Sequence, residues 1–477
     1  MKFNCARCAS LAIMLAALTT PGWCQDTGLP SLFPLPPMPP IGNGYPISQV
    51  AANDAVWGPN ELSPVQTGPI QTPVQGPLKG SMQGPEVIPS PMQGSVQIPN
   101  QSLTAPDYAG AMKGDYGGYS SVGSPCGGST CCHNHYVYAN ALAMTRVQGC
   151  GTAISVDDVT GAERLCTSCA GRNVFAGGFE IGTGWCFGGG SCCGSACGSC
   201  CNCNAIELVY WGIFPATKCI NSIDDMNSTI NFGDLNYNGG SANVPFNSAE
   251  FQQVCRHYNF NSVEANLVGN CGCGPFGCGM CGCCCGGSGQ RIGFGYVAGF
   301  RYMNFSDYLL YSSSLNGFSM TGTDPNEINY AVATNNNLFG FQLGGGLSYC
   351  VCNRLTAFAI SKFGVYDNHI TALQKIYGPA GTATIANGPF AGQPFDVHST
   401  GFDAIALAGQ FDLGGRVMIT NNWTANFGYR VLGLSGVATT DNNIKQQNFH
   451  DVDGIATVQR CGSFMLHGLF AGATYCF

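Results

Sequence analysis

Charged side chains are scarce. Asp, Glu, Lys and Arg make up 9% of the 477 residues, against roughly 25% in an ordinary soluble domain, so a fully water-facing surface is hard to assemble from this chain. The hydrophilic positions fall instead to Asn, Ser, Thr, Gln and 68 Gly. Positive charge is scarcer still: 18 Lys and Arg stand against 26 Asp and Glu, a net −8, and no Lys/Arg run occurs. That excludes the clustered positive field a nucleic-acid partner needs. Long apolar runs are missing too. Beyond the leader, none reaches the roughly 18 residues of a membrane-spanning helix.

Enzyme signatures are also absent. No Ser occupies a nucleophile elbow, no zinc-protease helix motif occurs, and there is no phosphate loop. Gly272-Cys273-Gly274-Pro275-Phe276-Gly277 matches the dinucleotide fingerprint by letter, but no strand-to-helix unit or following acidic residue accompanies it. His133 and His135 look like a ligand pair, yet such residues more often merely flank a strand start. No catalytic, cofactor or metal residue is assigned, and no enzymatic activity is expected.

What is present begins with an export leader over residues 1–24: Lys2 and Arg7, an apolar stretch from Leu11 to Leu18, then small and turn residues at Thr19 to Gly22. This is a signal-peptide pattern. Residues 25–125 are low-complexity and read as a disordered Pro/Gln/Gly-rich tail, with the run Phe33-Pro34-Leu35-Pro36-Pro37-Met38-Pro39-Pro40 and echoes at Val74-Gln75-Gly76-Pro77 and Met82-Gln83-Gly84-Pro85. Too few periodic apolar residues occur there to offset ordering entropy. A spacer is the simpler reading; a ligand arm for a cell-wall or envelope partner is the sharper one.

From Tyr136 the pattern becomes period two, which puts alternate side chains on opposite faces of a strand. Trp423, Ala425, Phe427, Tyr429 and Val431 alternate with Thr424, Asn426, Gly428 and Arg430. Ile405, Leu407, Phe411, Leu413, Val417 and Ile419 oppose Gln410, Asp412, Gly414 and Arg416. The same rule holds around Phe179 to Trp185, Val263 to Leu267, Ile292 to Tyr302 and Phe339 to Tyr349. About ten strands (10–12) result. One face is aromatic and the other Gly-rich with sparse charge, the pattern of a lipid-facing wall around a narrow lumen. The expectation is an all-β, antiparallel transmembrane β-barrel over residues 126–477, with Cys-rich inserts at 186–204 and 269–291.

Connection lengths agree. Those after odd strands (147–174, 214–257, 315–326, 371–399, 435–462) are long, while of those after even strands 352–354 and 420–422 are short and the two exceptions, 186–204 and 269–291, are the Cys-rich inserts; long external loops and short turns are the alternation of outer-membrane barrels. The chain closes on an alternating strand whose Tyr475 and Phe477 match the signal read by the barrel-assembly machinery. Together with Gly299-Phe300-Arg301-Tyr302 and Asn336-Asn337-Leu338-Phe339-Gly340-Phe341-Gln342-Leu343-Gly344, that strand resembles the BBP-type outer-membrane β-barrel family of planctomycetes, over residues 136–477. The resemblance implies fold and a bacterial outer-membrane location, with lipid as the surrounding partner; it brings no activity.

Two constellations remain. Cys186, Cys192, Cys193, Cys197, Cys200, Cys201 and Cys203 form one cluster, and Cys271, Cys273, Cys278, Cys281, Cys283, Cys284 and Cys285 the other, within 29 Cys in all. In an exported chain they are disulfide candidates. Cys166-Thr-Ser-Cys169, Cys197-Gly-Ser-Cys200 and Cys278-Gly-Met-Cys281 also carry zinc-knuckle spacing, the alternative reading. On the inward faces, Glu180, Glu207, Glu264 and Asp412 stand against Arg301, Lys362, Arg416 and Arg430. Ions in a narrow lumen need partners. An ion-paired plug and a structural or surface-exposed envelope role follow; a narrow passive or selective channel and an outer-membrane hydrolase with a rim site are the alternatives. For the latter the rim offers Lys375, Asp396, His398 and His369.

Overall fold

The computed structural model describes residues 135–147, 149, 151–171, 175–187, 203–271, 275–276, 291–352 and 354–477. The leader, the low-complexity tail and most cysteines of the two clusters lie outside the described residues.

Ten antiparallel strands form the wall: β1 His135–Val147, β2 Phe175–Phe187, β3 Cys203–Ser228, β4 Ala249–Cys271, β5 Ile292–Ser314, β6 Glu327–Cys352, β7 Leu355–Gly378, β8 Asp396–Met418, β9 Trp423–Val437 and β10 Gly462–Cys476. Each pairs with the next in sequence, and β10 pairs with β1 from Tyr136↔Cys476 to Val147↔Met465, which closes the ring. Over the part shared by all ten strands closure leaves no unpaired edge, the condition for spanning hydrocarbon with strands; beyond it, β3 from Phe214 to Asp225 and β8 before Leu407 pair on one side only. At Pro215 the β3–β4 register slips, between Ile213 and Ala216; proline has no N–H to give the ladder, so the strand bulges there.

The faces divide as the alternation predicts. Phe300 is 58% exposed, Phe339 61% and Ile405 58%, and their neighbours on the outward face form a band facing lipid. Its lower edge is a stacked aromatic girdle. His135 lies between Trp185 and Phe477, with centroids 5.3 and 5.1 Å away, and Tyr475 bridges Phe477 to Trp423. The backbone N–H of Phe477 donates to the His135 carbonyl, so the last residue is tied to the first strand.

The strands run further than the sequence pattern suggests. Six of them, β3 to β8, have 23 to 26 residues, whereas about 9–11 cross the hydrocarbon. The connections shrink accordingly to 229–248 and 379–395. The surplus extends the wall past the membrane at the long-loop end, where the outward residues are Asn and Ser rather than Phe: Asn304 and Ser306 donate across the sheet to Asn335 at 2.8 Å each. Inside this extension, loops 229–248, 379–395 and 438–461 pack a second apolar core of Phe232, Phe246, Tyr311, Tyr330, Phe395 and Phe449. The last of these loops carries two short helices, α1 Thr440–Asn443 and α2 Val452–Ala456.

Candidate functional site

The lumen is the natural place to look for function, and it is filled. Its glycines are not all bare lining, because Gly182, Gly184, Gly414 and Gly428 each make room for an aromatic ring from the adjacent strand. Tyr136 is register partner of Gly184 and Tyr138 of Gly182, Phe358 of Gly414, and Phe470 of Gly428. A Cβ at Gly184 would fall 2.1 Å from Tyr136 Cζ, and one at Gly428 would fall 2.5 Å from Phe470 Cζ. Each ring therefore lies flat over its glycine and turns the space inward. With Trp211, Phe260, Phe305 and Phe464 these rings form a packed interior.

The charges thread between the rings as two networks. Glu264 accepts from Lys362 Nζ at 2.8 Å and has Arg301 Nε at 3.4 Å, with the Gln342 amide donating to it at 2.8 Å. Arg430 chelates Asp412 (2.9 and 3.0 Å) and also binds Glu180. Trp211 separates the two networks, with the Arg301 and Arg430 guanidiniums 5.7 and 5.0 Å from its ring. The remaining two ions of the sequence reading are not paired with each other. Glu207 accepts from Tyr136 Oη at 2.9 Å, and Arg416 stacks on Phe358 at 4.5 Å and donates to the Pro275 carbonyl at 2.7 Å.

That last contact involves Pro275, one of the two described residues of the 272–277 stretch. Pro275 and Phe276 turn into the short-turn mouth of the barrel, where Phe276 is 5% exposed and the Asn270 side chain holds both its N–H and its carbonyl. Pro275 and Phe276 thus cork that mouth.

The opposite end is closed by the loop 438–461, and here sequence reasoning missed the decisive residues. Asp307 on β5, 1% exposed, accepts from Arg146 at 2.7 Å, from Arg256 at 3.0 Å, and from both the N–H and the hydroxyl of Thr440 at 3.0 and 2.9 Å. Arg256 also reaches Asp441 (2.8 Å) and the Thr167 carbonyl (3.1 Å). Asn336 holds the backbone of Ala438 through two bonds of 2.8 Å, and Gln374 donates to the Asn443 carbonyl at 3.0 Å. The signal was parity: Arg256 shares the inward face of Glu264, and Asp307 that of Arg301.

Two disulfides lie wholly within the described residues. Cys166–Cys169 is one, so the zinc-knuckle spacing there is used as a cystine; Glu163 lies beside it. Cys219–Cys255 bridges register partners on the outward faces of β3 and β4. It was not singled out from sequence, although the two residues flank the 229–248 loop. Cys186, Cys350, Cys461 and Cys476 are disulfide-bonded as well. The side chains of the other cluster cysteines named above, from Cys192 to Cys203 and from Cys271 to Cys285, lie outside the described residues.

At the external rim, Asp396 pairs with Lys375 at 2.9 Å and has His398 at 3.0 Å, and His369 lies 3.0 Å from Asp403. All five point away from the lumen, since the intervening Gln374 and Val397 are buried. Arg164 beside Asp157 holds that carboxyl well below the usual carboxylate range, helped by the Thr160 hydroxyl and N–H. In loop 229–248, Asp234 is likewise lowered: burial pushes it up, but hydrogen bonds and charge from His450, with a bond from Asn387, outweigh that.

A closed ten-strand barrel with an outward aromatic band and a packed polar interior is an outer-membrane β-barrel of porin-like fold. More particularly, residues 211–477, from Trp211 in β3 to the final Phe, match the family described as "Putative beta barrel porin-7 (BBP7)", and the chain belongs to that family. No curated protein matches it. Among solved structures it is similar to the outer membrane protease OmpT from Escherichia coli (10% identity, 72% of this chain and 97% of that chain, TM-score 0.33). It is also similar to a major outer membrane protein from Thermus thermophilus (10%, 72% and 100%, 0.25) and to the P. putida toluene transporter TodX (10%, 72% and 90%, 0.26). Likenesses this distant bring neither ligand nor reaction to this chain.

Proposed function

We propose that the protein is a sealed envelope barrel with a structural or surface-exposed role. The observation that carries this reading is the filled interior: Tyr136 is 0% exposed, Trp211 1%, Phe260 0% and Arg301 1%, with Phe276 below them and Thr440 above. Struts such as Lys362–Glu264 and Arg430–Glu180 join strands across the lumen and rigidify the wall. The lipid of the outer membrane surrounds the aromatic band, the assembly machinery reads the Tyr475 and Phe477 end, and an envelope or cell-wall partner engages the N-terminal tail. No enzymatic activity is part of the reading; the rim groups Lys375, Asp396 and His398 are engaged with one another on the outer wall. The test is planar-bilayer recording of the purified protein. No discrete conductance steps are expected; steps of reproducible size would overturn the sealed barrel.

A second reading, a narrow passive or selective channel, is favoured by the word porin in the family's description and by the charges inside. The same recording decides between the two.

A further inference from the structure

Where the loops 379–395 and 438–461 meet at the external end, they leave a cleft of about 360 Å³, on the scale of small-molecule sites. Part of its lining is apolar. Phe390 and Val452 line it while packing their other sides on the upper core, and Pro389 adds a third apolar surface. Its rim is polar and underused. The Asn448 amide and the Asp453 carboxylate line the cleft and have no partner among the described residues. His450 spends Nδ1 on Asp234 at 2.8 Å, which leaves Nε2 for another partner.

The cleft is held in shape from below. Asp234 binds His450 of one loop and Asn387 of the other, and its carbonyl accepts from Ala386 at 2.8 Å. Asp451, also on the rim, is committed to the Gly454 N–H at 3.0 Å. The site is therefore built by three loops rather than by one mobile turn.

We propose that this cleft binds the pyranose rings of a carbohydrate. A sugar presents an apolar C–H face, which suits Phe390, Pro389 and Val452, and hydroxyl groups that each give and take a hydrogen bond. The rim matches that mixture: the amide of Asn448 both donates and accepts, the carboxylate of Asp453 accepts, and the free imidazole nitrogen completes the set. A cationic amine would use the carboxylate but leave the Asn448 NH2 unmatched. Because the barrel beneath is filled, the ligand would be held at the surface rather than passed through.

The experiment is saturation-transfer NMR on the full chain, refolded in a detergent without a sugar headgroup, with cellobiose and chitobiose as probes and spermidine as the cationic comparison. Saturation transfer to at least one disaccharide is expected. Affinity should fall about tenfold in Phe390→Ala, the loss of one aromatic contact, and should fall also in Asp453→Asn and Asn448→Gly. Glycine suits the last position because Asn448 has φ 65°, and both rim side chains are exposed, so these two variants keep the fold even if Phe390→Ala does not. No transfer to either sugar, transfer unchanged in the rim variants, or binding of spermidine instead would overturn the proposal. None of these results bears on conductance, so the site and the sealed barrel stand or fall separately.

Discussion

Arg146 on β1 and Asp307 on β5 meet across the lumen in a two-pronged ion pair, Nη1 to Oδ1 at 2.7 Å and Nη2 to Oδ2 at 3.2 Å. The strands are not neighbours in the ring, so the pair forms only when the wall has curled into a barrel. Arg256 and Thr440 then bind the same carboxylate, and the docking of loop 438–461 is coupled to closure.

Replacing Asp307 by Asn should leave two buried guanidiniums without their shared carboxylate. Breaking a buried ion pair on one side costs about 3–5 kcal/mol. The expected outcome is a lower urea midpoint for folding in micelles and faster proteolysis within 438–461. Unchanged values of both would show that the loop is held by its apolar contacts alone.

A glycine substitution tests the ring-over-glycine packing. In Gly184→Ala the new methyl would collide with Tyr136 and pull its hydroxyl from Glu207. A destabilisation of about 1–3 kcal/mol is expected, as for other overpacked cores. Gly433→Ala is the control, since nothing lies within 4 Å of its Cβ and its effect should stay within about 0.5 kcal/mol. Equal effects at the two positions would mean that strand propensity, not packing, governs these glycines.

The outward wall was legible because lipid contact imposes one rule on every second residue, and Trp423 to Val431 obeys it without exception. The inward wall was not. Tyr136 over Gly184 and Phe470 over Gly428 are cross-strand pairs, invisible until register is known, so the lumen read as glycine-lined when it is filled with rings. Strand lengths were underestimated for a related reason: beyond the membrane the outward face carries Asn304, Ser306 and Asn335, and the amphipathic signal stops where the strands do not. Of the eight lumen ions, position was readable from parity, but partners were not. Arg430 takes both Asp412 and Glu180, which lie 18 and 250 residues away.

Acid should loosen the external cap before the barrel. Asp234 is partly exposed, its carboxyl is lowered, and its bonds to His450 and Asn387 join three loops. A depressed carboxyl pKa means that the docked loops bind the proton less readily than the undocked ones. The tether therefore contributes fully above the ordinary carboxyl value of about 4 and is lost as pH falls through the lowered one. Pepsin nicking within 438–461 should rise steeply across that interval. Asp234→Asn should nick readily at every pH in the range and remove the pH step; a step that persists in the variant would assign it to another acid.

The seal itself can be located by taking the closures away in order. Loop 438–461 closes the upper end, but the lower lumen is packed by groups of the wall, above all Trp211 between Arg301 and Arg430. Replacing residues 440–459 with a short Gly/Ser linker should therefore leave the barrel non-conducting while heat-modifiable gel migration shows it folded. Adding Trp211→Ala removes the largest side chain between the two ion networks and deletes about 3–5 kcal/mol of packing, so discrete conductance steps are expected only in this second variant. If the linker variant conducts by itself, the loop is the gate and the rings beneath it leave a continuous path. If neither conducts, the ion pairs and the Pro275–Phe276 cork suffice to close the lower mouth.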